Sequence, residues 1–252
     1  MAARRLITIP QSHFCEKARW VLDATGVAYE EDPHAAVAHL RATRAVGGKS
    51  VPILVDGDVV LRDSTDIARH ADALAPPDRR LVPPSEDDRR AVLAIEDDLD
   101  ETLGPDARLL GYWFPFSDAR YTHAFVGRMV GVRSPLAVRV LTPVFRALIC
   151  RRYRIDAVTA RSAEARVRST FARLGEGLGD AGYLVAGRFT LADLTFAALA
   201  APLLAPPEHP ISGRSKAQPP NAMADLRAEL SATAAGRHAL RVYRDHRKHA
   251  VS

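Results

Sequence analysis

The sequence of 252 residues predicts a small mixed α/β domain followed by an all-helical domain. Three observations support this prediction. About 75 N-terminal residues alternate between short β-branched runs and amphipathic helical runs. A proline-rich segment follows at 76–84, and the remaining residues carry helical patterns with few strand signals. We therefore expect domains at 1–76 and 85–252, joined by a linker at 77–84.

The predicted elements of the first domain follow the order strand, helix, strand, helix, hairpin, helix. Gly26 is a typical C-terminal cap for the first helix. Asp56-Gly57 lies between two short apolar runs, and this dipeptide is typical of a β-hairpin. The predicted strands are 6–9, 28–32, 51–55 and 59–62, and the predicted helices are 15–25, 35–46 and 63–74.

The second domain is predicted to consist of helices joined by loops, without strands. Thr190 and Asp193 have the spacing of a capping box at the start of a strongly apolar helix. Residues 205–221 contain five prolines and are expected to form an irregular loop. The predicted helices are 85–103, 118–131, 135–153, 158–178, 191–204 and 222–245.

Composition excludes several classes of protein. The hydrophobic fraction of 47% and the charged fraction of 26% are those of a globular protein. The net charge of +5 comes without a nucleic-acid-binding motif, so we expect no nucleic acid partner. Two cysteines are too few for a secreted disulfide scaffold. With neither a signal peptide nor an apolar run of transmembrane length visible, we predict a cytoplasmic protein.

We also expect no metal site. The sequence has no His-Glu-x-x-His motif and no paired Cys-x-x-Cys motif. His246 and His249 are three residues apart, but neighbouring arginine and lysine residues disfavour a bound cation.

A hydroxyl and a thiol three residues apart stand between the first strand and the first helix. Ser12 lies in the predicted loop and Cys15 in the first helical turn. A loop hydroxyl beside free helix amides favours a thiolate. Cys15 is interpreted either as a reactive thiol or as a small buried side chain. His13 is interpreted mainly as a solvent-facing loop residue, with a function near the site as the alternative.

Two further motifs follow at fixed intervals. Val51-Pro52 precedes the third predicted strand, and Asp63-Ser64 opens the next helix. A hydroxyl at a helix N-terminus suits a carboxylate, and a nearby acid suits an ammonium group. Helix capping by Asp63 is compatible with that function.

These three motifs in this order resemble the glutathione transferase superfamily, in particular its serine- and cysteine-type, bacterial-like members. The resemblance implies a thioredoxin-like N-terminal domain and an all-helical C-terminal domain. It implies that Ser12 faces the glutathione sulfur and that the proline of Val51-Pro52 is cis. It further implies glutathione contacts at Phe14, Lys49, Val51, Pro52, Asp63 and Ser64.

The resemblance implies a transferase that uses glutathione as co-substrate, attacks a small hydrophobic electrophile and forms a homodimer. Ser12 and Cys15 are the candidate catalytic residues. Two alternatives remain open. One is a glutathione-dependent thiol-disulfide oxidoreductase that uses Cys15, and the other is a non-catalytic binding module on the same fold.

Residues 105–157 are the unusual part of the second domain. Tyr112, Trp113 and Phe116 belong to a dense aromatic cluster, and we predict that they line the acceptor site. The apolar stretch 134–153 carries several arginines. It is interpreted mainly as an amphipathic core helix, with a membrane surface or a partner as alternatives.

Overall fold

The computed structural model describes residues 3–211 and 218–247. Its N-terminal part is a four-stranded sheet in the order β2-β1-β3-β4, flanked by helices. β1 is parallel to β2 and antiparallel to β3, and β3 and β4 form the predicted antiparallel hairpin. The strands are β1 (Arg5–Thr8), β2 (Glu30–Pro33), β3 (Ile53–Asp56) and β4 (Val59–Leu61).

The helices of both parts follow in chain order. Those of the N-terminal part are α1 (His13–Thr25), α2 (His39–Ala45) and α3 (Ser64–Leu74). A single 3-10 turn, Pro77–Arg79, lies in the connection to the C-terminal part. The helices of that part are α4 (Glu86–Glu101), α5 (Leu103–Ser117), α6 (Ala119–Val130), α7 (Pro135–Tyr153), α8 (Ala157–Glu176), α9 (Leu191–Leu204), α10 (Asn221–Ala232) and α11 (Ala234–His246). The chain thus has a thioredoxin-like domain followed by an all-helical domain, as predicted.

The central helix of the C-terminal domain is α9, which packs on α1, α4, α5 and α11. Its sequence is apolar on all faces, and nearly every residue of it is buried. Such a helix is stable only inside a protein core. Because α9 contacts α1, the hydrophobic core runs continuously from one domain into the other.

Two helical predictions were wrong. Residues 103–117, which lie between the predicted helices 85–103 and 118–131, form α5 although the segment contains Gly104, Pro105, Gly111 and Pro115. The predicted single helix 222–245 is divided into α10 and α11. Thr233 caps α11 by accepting a hydrogen bond from the Gly236 amide at 2.9 Å. Gly236 lies so close to the Leu230 carbonyl that a side chain there would collide with it.

The outer face of α7 also differs from the prediction of a core helix. Val138, Thr142 and Phe145 are buried, but Leu136, Val140, Val144 and Leu148 form an exposed apolar stripe on the opposite face. Within residues 3–211 and 218–247, no helix is both long and apolar enough to cross a membrane. The predicted loop 205–221 is irregular at 205–211 and 218–220, and residues 212–217 lie outside the described part.

Charged side chains of α1 are buried between the domains. Glu16, Lys17 and Arg19 are all almost inaccessible to solvent. Lys17 bonds to Glu96 and Asp100 of α4, and the Glu16 carboxylate accepts a hydrogen bond from Arg247 at 2.7 Å. The interface therefore combines apolar packing with buried ion pairs.

Candidate active site

The register of the sheet brings the three sequence motifs to one edge. Ile7 of β1 pairs with Ile53 of β3, so the loop after β1 emerges beside the segment that precedes β3. Leu61 pairs with Leu54, which brings the end of β4 to the same edge. Ser12, Val51-Pro52 and Asp63-Ser64 follow or precede these strand ends and therefore lie around one region of the domain.

Ser12 is the N-cap of α1 and is half-buried. Its hydroxyl oxygen accepts a hydrogen bond from the Cys15 amide at 3.4 Å. The hydroxyl proton is therefore available to a ligand. An exposed thiolate at this position would also face the positive end of the α1 dipole.

The Cys15 thiol is fully buried. Burial raises its pKa above the usual value for a cysteine, and the nearby Arg19 guanidinium opposes this only in part. A buried thiol with a raised pKa is a poor nucleophile. This environment favours the interpretation of Cys15 as a small buried side chain over that of a reactive thiol.

The interpretation of His13 as a solvent-facing residue was wrong. Its side chain is buried under α5, and its Nε2 atom lies 2.9 Å from the Gly104 carbonyl oxygen. Burial, assisted by the nearby Arg108 charge, lowers the His13 pKa to about 3. His13 is thus neutral at physiological pH and anchors the start of α1 to the second domain.

Phe14 also contacts α5. Its ring packs on the Gly104 backbone so closely that a side chain at Gly104 would overlap it. The guanidinium of Arg108 lies 5.6 Å from the Phe14 ring centroid. Phe14 is therefore an interdomain packing residue, and a glutathione contact at this side chain stays a prediction.

The segment before β3 has the predicted backbone conformation. The Val51-Pro52 peptide bond is cis, and Pro52 is buried while Val51 is half-buried. Val51 lies before the first paired residue of β3, so its backbone polar groups are outside the strand register. Lys49 is exposed two residues earlier, and its glutathione contact stays a prediction.

The N-terminus of α3 carries an unsatisfied hydroxyl. The Asp63 carboxylate caps the helix by accepting a hydrogen bond from the Thr65 amide at 2.8 Å. Ser64 is 2% exposed, and its hydroxyl oxygen has no hydrogen-bond partner among the described residues. Because a buried polar group without a partner is unfavourable, this hydroxyl is well suited to a ligand carboxylate.

The aromatic residues predicted to line the acceptor site pack mainly on each other. Tyr112 stacks on Phe116 and on Tyr153 with ring centroids 5.8 Å apart in both pairs. Phe116 is 4% exposed and Trp113 is half-buried. Burial raises the pKa of the Tyr112 hydroxyl far above its usual value. Tyr112 and Phe116 therefore belong to the packing between α5, α6 and α7.

A cavity of about 690 Å³ lies elsewhere, between the N-terminal domain and the α6–α7 corner. Gln11, the residue before Ser12, lines it from the first domain, and neither Tyr112, Trp113 nor Phe116 contributes. Three arginines of its wall were not among the predicted site residues, although the sequence around them is rich in arginine. They are Arg128, Arg133 and Arg139.

The described residues contain no group of three or more side chains that could hold a metal ion. His246 contacts Tyr183 and stacks on Phe189, whereas His249 lies outside the described part of the chain.

Comparison with known proteins gives a family match for the N-terminal domain. Residues 6–79 match the glutathione S-transferase N-terminal domain family. No curated protein sequence shows a significant match to this chain.

Solved structures share the fold over nearly the whole chain at low sequence identity. The beta-etherase LigF from Sphingobium sp. strain SYK-6 has a TM-score of 0.61 and 17% identity, covering 95% of this chain and 99% of its own. A glutathione S-transferase from Methylobacterium radiotolerans, in complex with glutathione sulfonate, has a TM-score of 0.55 and 18% identity over 95% of both chains. Glutathione transferase F2 from Populus trichocarpa has a TM-score of 0.56 and 15% identity, covering 96% of this chain and 99% of its own.

Proposed function

We propose that this protein is a glutathione-dependent transferase. Residues 6–79 match the glutathione S-transferase N-terminal domain family, and the whole chain has the glutathione transferase fold. The observation that carries the proposal is the convergence of Ser12, Val51 and the unsatisfied Ser64 hydroxyl at one edge of the sheet. A tripeptide with a central thiol could place its sulfur at Ser12, its central backbone at Val51 and a terminal carboxylate at Ser64.

In the proposed complex, the γ-glutamyl carboxylate accepts hydrogen bonds from Ser64 and from the first amides of α3. Asp63 attracts the adjacent ammonium group, although its carboxylate also caps the helix. The backbone of Val51 binds the cysteinyl backbone as the edge of a strand would. Lys49 pairs with the glycyl carboxylate.

Ser12 stabilises the glutathione thiolate. Its hydroxyl oxygen is already engaged by the Cys15 amide, so the hydroxyl proton is directed to the sulfur. This hydrogen bond favours the charged form of the thiol and lowers its pKa. The thiolate then attacks an electrophilic carbon of the acceptor, whose leaving group departs with the bonding electron pair.

Calorimetric titration with reduced glutathione tests the binding site. We expect the wild-type protein to bind glutathione and Ser64→Ala to bind it about tenfold more weakly, because a hydrogen bond to the carboxylate is lost. Thr159→Ala is the control, since Thr159 is a hydroxyl residue of the capping box of α8, a helix that packs on α5 and α11 of the second domain. Failure of the wild type to bind at millimolar glutathione would favour the non-catalytic alternative.

Paired variants separate the transferase from the oxidoreductase. We expect Ser12→Ala to lower kcat/KM for an electrophile by about one to two orders of magnitude, since the hydroxyl stabilises developing charge. Cys15→Ser is expected to retain most of that activity, because the thiol is buried and its pKa is raised. Loss of activity in Cys15→Ser, with folding intact by circular dichroism, would instead favour the redox enzyme.

The oligomeric state and location are proposed on the resemblance and on the sequence. A homodimer in the cytoplasm is the expected state. Light scattering on the purified protein measures the mass directly, and a monomeric mass of 27.4 kDa would contradict the dimer.

A further inference from the structure

The cavity beside Gln11 lies between the N-terminal domain and the α6–α7 corner of the second domain. The Ala36 amide donates a hydrogen bond to the Met129 carbonyl oxygen at 2.8 Å, joining the segment after β2 to the end of α6. Gly131 packs beside Ala35 at the same contact. These contacts fix the α6–α7 corner against the N-terminal domain. Because Gln11 lines the cavity, the cavity borders the loop that carries Ser12, the residue proposed to face the sulfur.

The walls of the cavity combine apolar and cationic groups. Ala124, Val132 and Val138 contribute apolar surface. Arg128 and Arg139 are exposed and line the same space, and neither they nor Arg133 form an ion pair or a hydrogen bond with any described residue.

The surrounding sequence supplies no counter-charge. Residues 119–155 contain eight arginines and no aspartate or glutamate. Three exposed guanidinium groups without carboxylate partners create a positive potential around this open cavity, part of whose wall is apolar. Guanidinium groups bind carboxylates and related oxyanions in a bidentate manner.

We infer that this cavity is the acceptor site and that its substrate is an amphipathic organic anion, an aromatic or aliphatic electrophile that carries a carboxylate or sulfonate. This inference rests on the proposed function. In this arrangement the apolar part of the substrate contacts Val132 and Val138, and its charged group faces Arg128, Arg133 and Arg139. The cavity volume of about 690 Å³ is sufficient for a molecule of this class.

The reaction can be followed with an aryl chloride. The glutathione sulfur forms a bond to the ring carbon that bears chlorine, and chloride leaves with the electron pair of the broken bond. The thiol proton passes to solvent. No oxidant or reductant takes part.

Two electrophiles with the same ring substitution but different charge test the charge requirement. We expect 4-chloro-3,5-dinitrobenzoate to have a kcat/KM about tenfold or more above that of neutral 4-chloro-3,5-dinitrobenzamide, after correction for their uncatalysed rates. The double variant Arg128→Gln/Arg139→Gln is expected to abolish this preference by lowering kcat/KM for the benzoate about tenfold. Equal rates for the two electrophiles with the wild-type protein would overturn the inference.

A charge-matched control distinguishes the cavity from the general field of the arginines. Arg146 and Arg151 are exposed arginines of α7 that do not line the cavity. The variant Arg146→Gln/Arg151→Gln should keep the preference for the carboxylate. An equal loss in this control would overturn the inference, because it would assign the preference to net charge alone.

Binding without glutathione separates this inference from the proposed function. The unreactive 3,5-dinitrobenzoate should bind the wild-type protein in calorimetry about tenfold more tightly than it binds Arg128→Gln/Arg139→Gln. If that result holds and glutathione does not bind, the anion site stands and the transferase proposal fails. If glutathione binds and the neutral electrophile reacts, but dinitrobenzoate binds both proteins equally, the transferase stands and the anion site fails.

Discussion

Replacing Lys17 by methionine is expected to lower the free energy of unfolding by about 3–5 kcal/mol. The Lys17 ammonium group is fully buried and bonds to the carboxylates of Glu96 and Asp100, the latter at 2.6 Å. The Thr65 hydroxyl lies 2.7 Å from both carboxylates. Without the cation, two acidic groups remain buried with no opposite charge, whereas the apolar volume of the side chain is retained. Urea denaturation of the two proteins measures the difference.

The same domains provide an exposed control. Arg69 of α3 lies 3.3 Å from Asp97 of α4, and both side chains are about half exposed. Arg69→Met should therefore change the free energy of unfolding by less than about 1 kcal/mol. A loss of that small size in Lys17→Met would contradict the prediction.

The pH dependence gives an independent check of the Lys17 prediction. Burial raises the pKa of the Asp100 carboxyl above its usual range, so the folded protein holds this proton more tightly than the unfolded chain does. A raised carboxyl pKa contributes stability at low pH that is lost as the pH rises through that pKa. Removal of Lys17 raises this pKa further. The loss in the free energy of unfolding caused by Lys17→Met should therefore be larger at about pH 8 than at about pH 5.

Replacing Asp193 by alanine is the second substitution with a large expected effect, a loss of about 3–5 kcal/mol. The Asp193 carboxylate is fully buried and accepts hydrogen bonds from the amides of Thr190 and Leu184 at 2.9 and 3.0 Å. His238 of α11 lies 3.0 Å from the same carboxylate. Alanine would leave these groups without partners inside the core, at the start of the helix that joins both domains.

Asp156 is the matched control for Asp193. It also belongs to a capping box, where it accepts hydrogen bonds from the Val158 and Thr159 amides at 2.8 Å, but it is exposed to solvent. Water replaces the lost hydrogen bonds there, so Asp156→Ala should cost only about 1 kcal/mol. Equal losses in the two variants, measured by urea denaturation, would show that burial adds nothing to the effect of Asp193.

The candidate site was predictable in its first domain and not in its second. Ser12, Val51-Pro52 and Asp63-Ser64 lie within short segments whose turn and cap chemistry fixes the local backbone. The wall of the cavity comes from α6 and α7, and their position depends on contacts with residues 35 and 36 far along the chain. An arginine-rich pattern alone does not indicate which guanidinium groups share a cavity.

The sequence by itself determined the elements whose signals are local. The Asp56-Gly57 hairpin, the Gly26 cap of α1 and the Thr190–Asp193 capping box all form as predicted, because each depends on residues within a few positions of one another. Their physical basis is backbone geometry and short-range hydrogen bonding.

Only the tertiary structure decided which charged residues are buried and which segment forms a helix despite its glycines and prolines. Lys17 is buried because Glu96, 79 residues away, neutralises it, and His13 is buried because α5 covers it. The α5 helix forms despite its glycines and prolines because packing on α8 and α9 outweighs the weak propensity of its sequence. Contacts between residues far apart in the sequence cannot be recognised from a short segment, since the free energy that stabilises them arises only when distant segments meet.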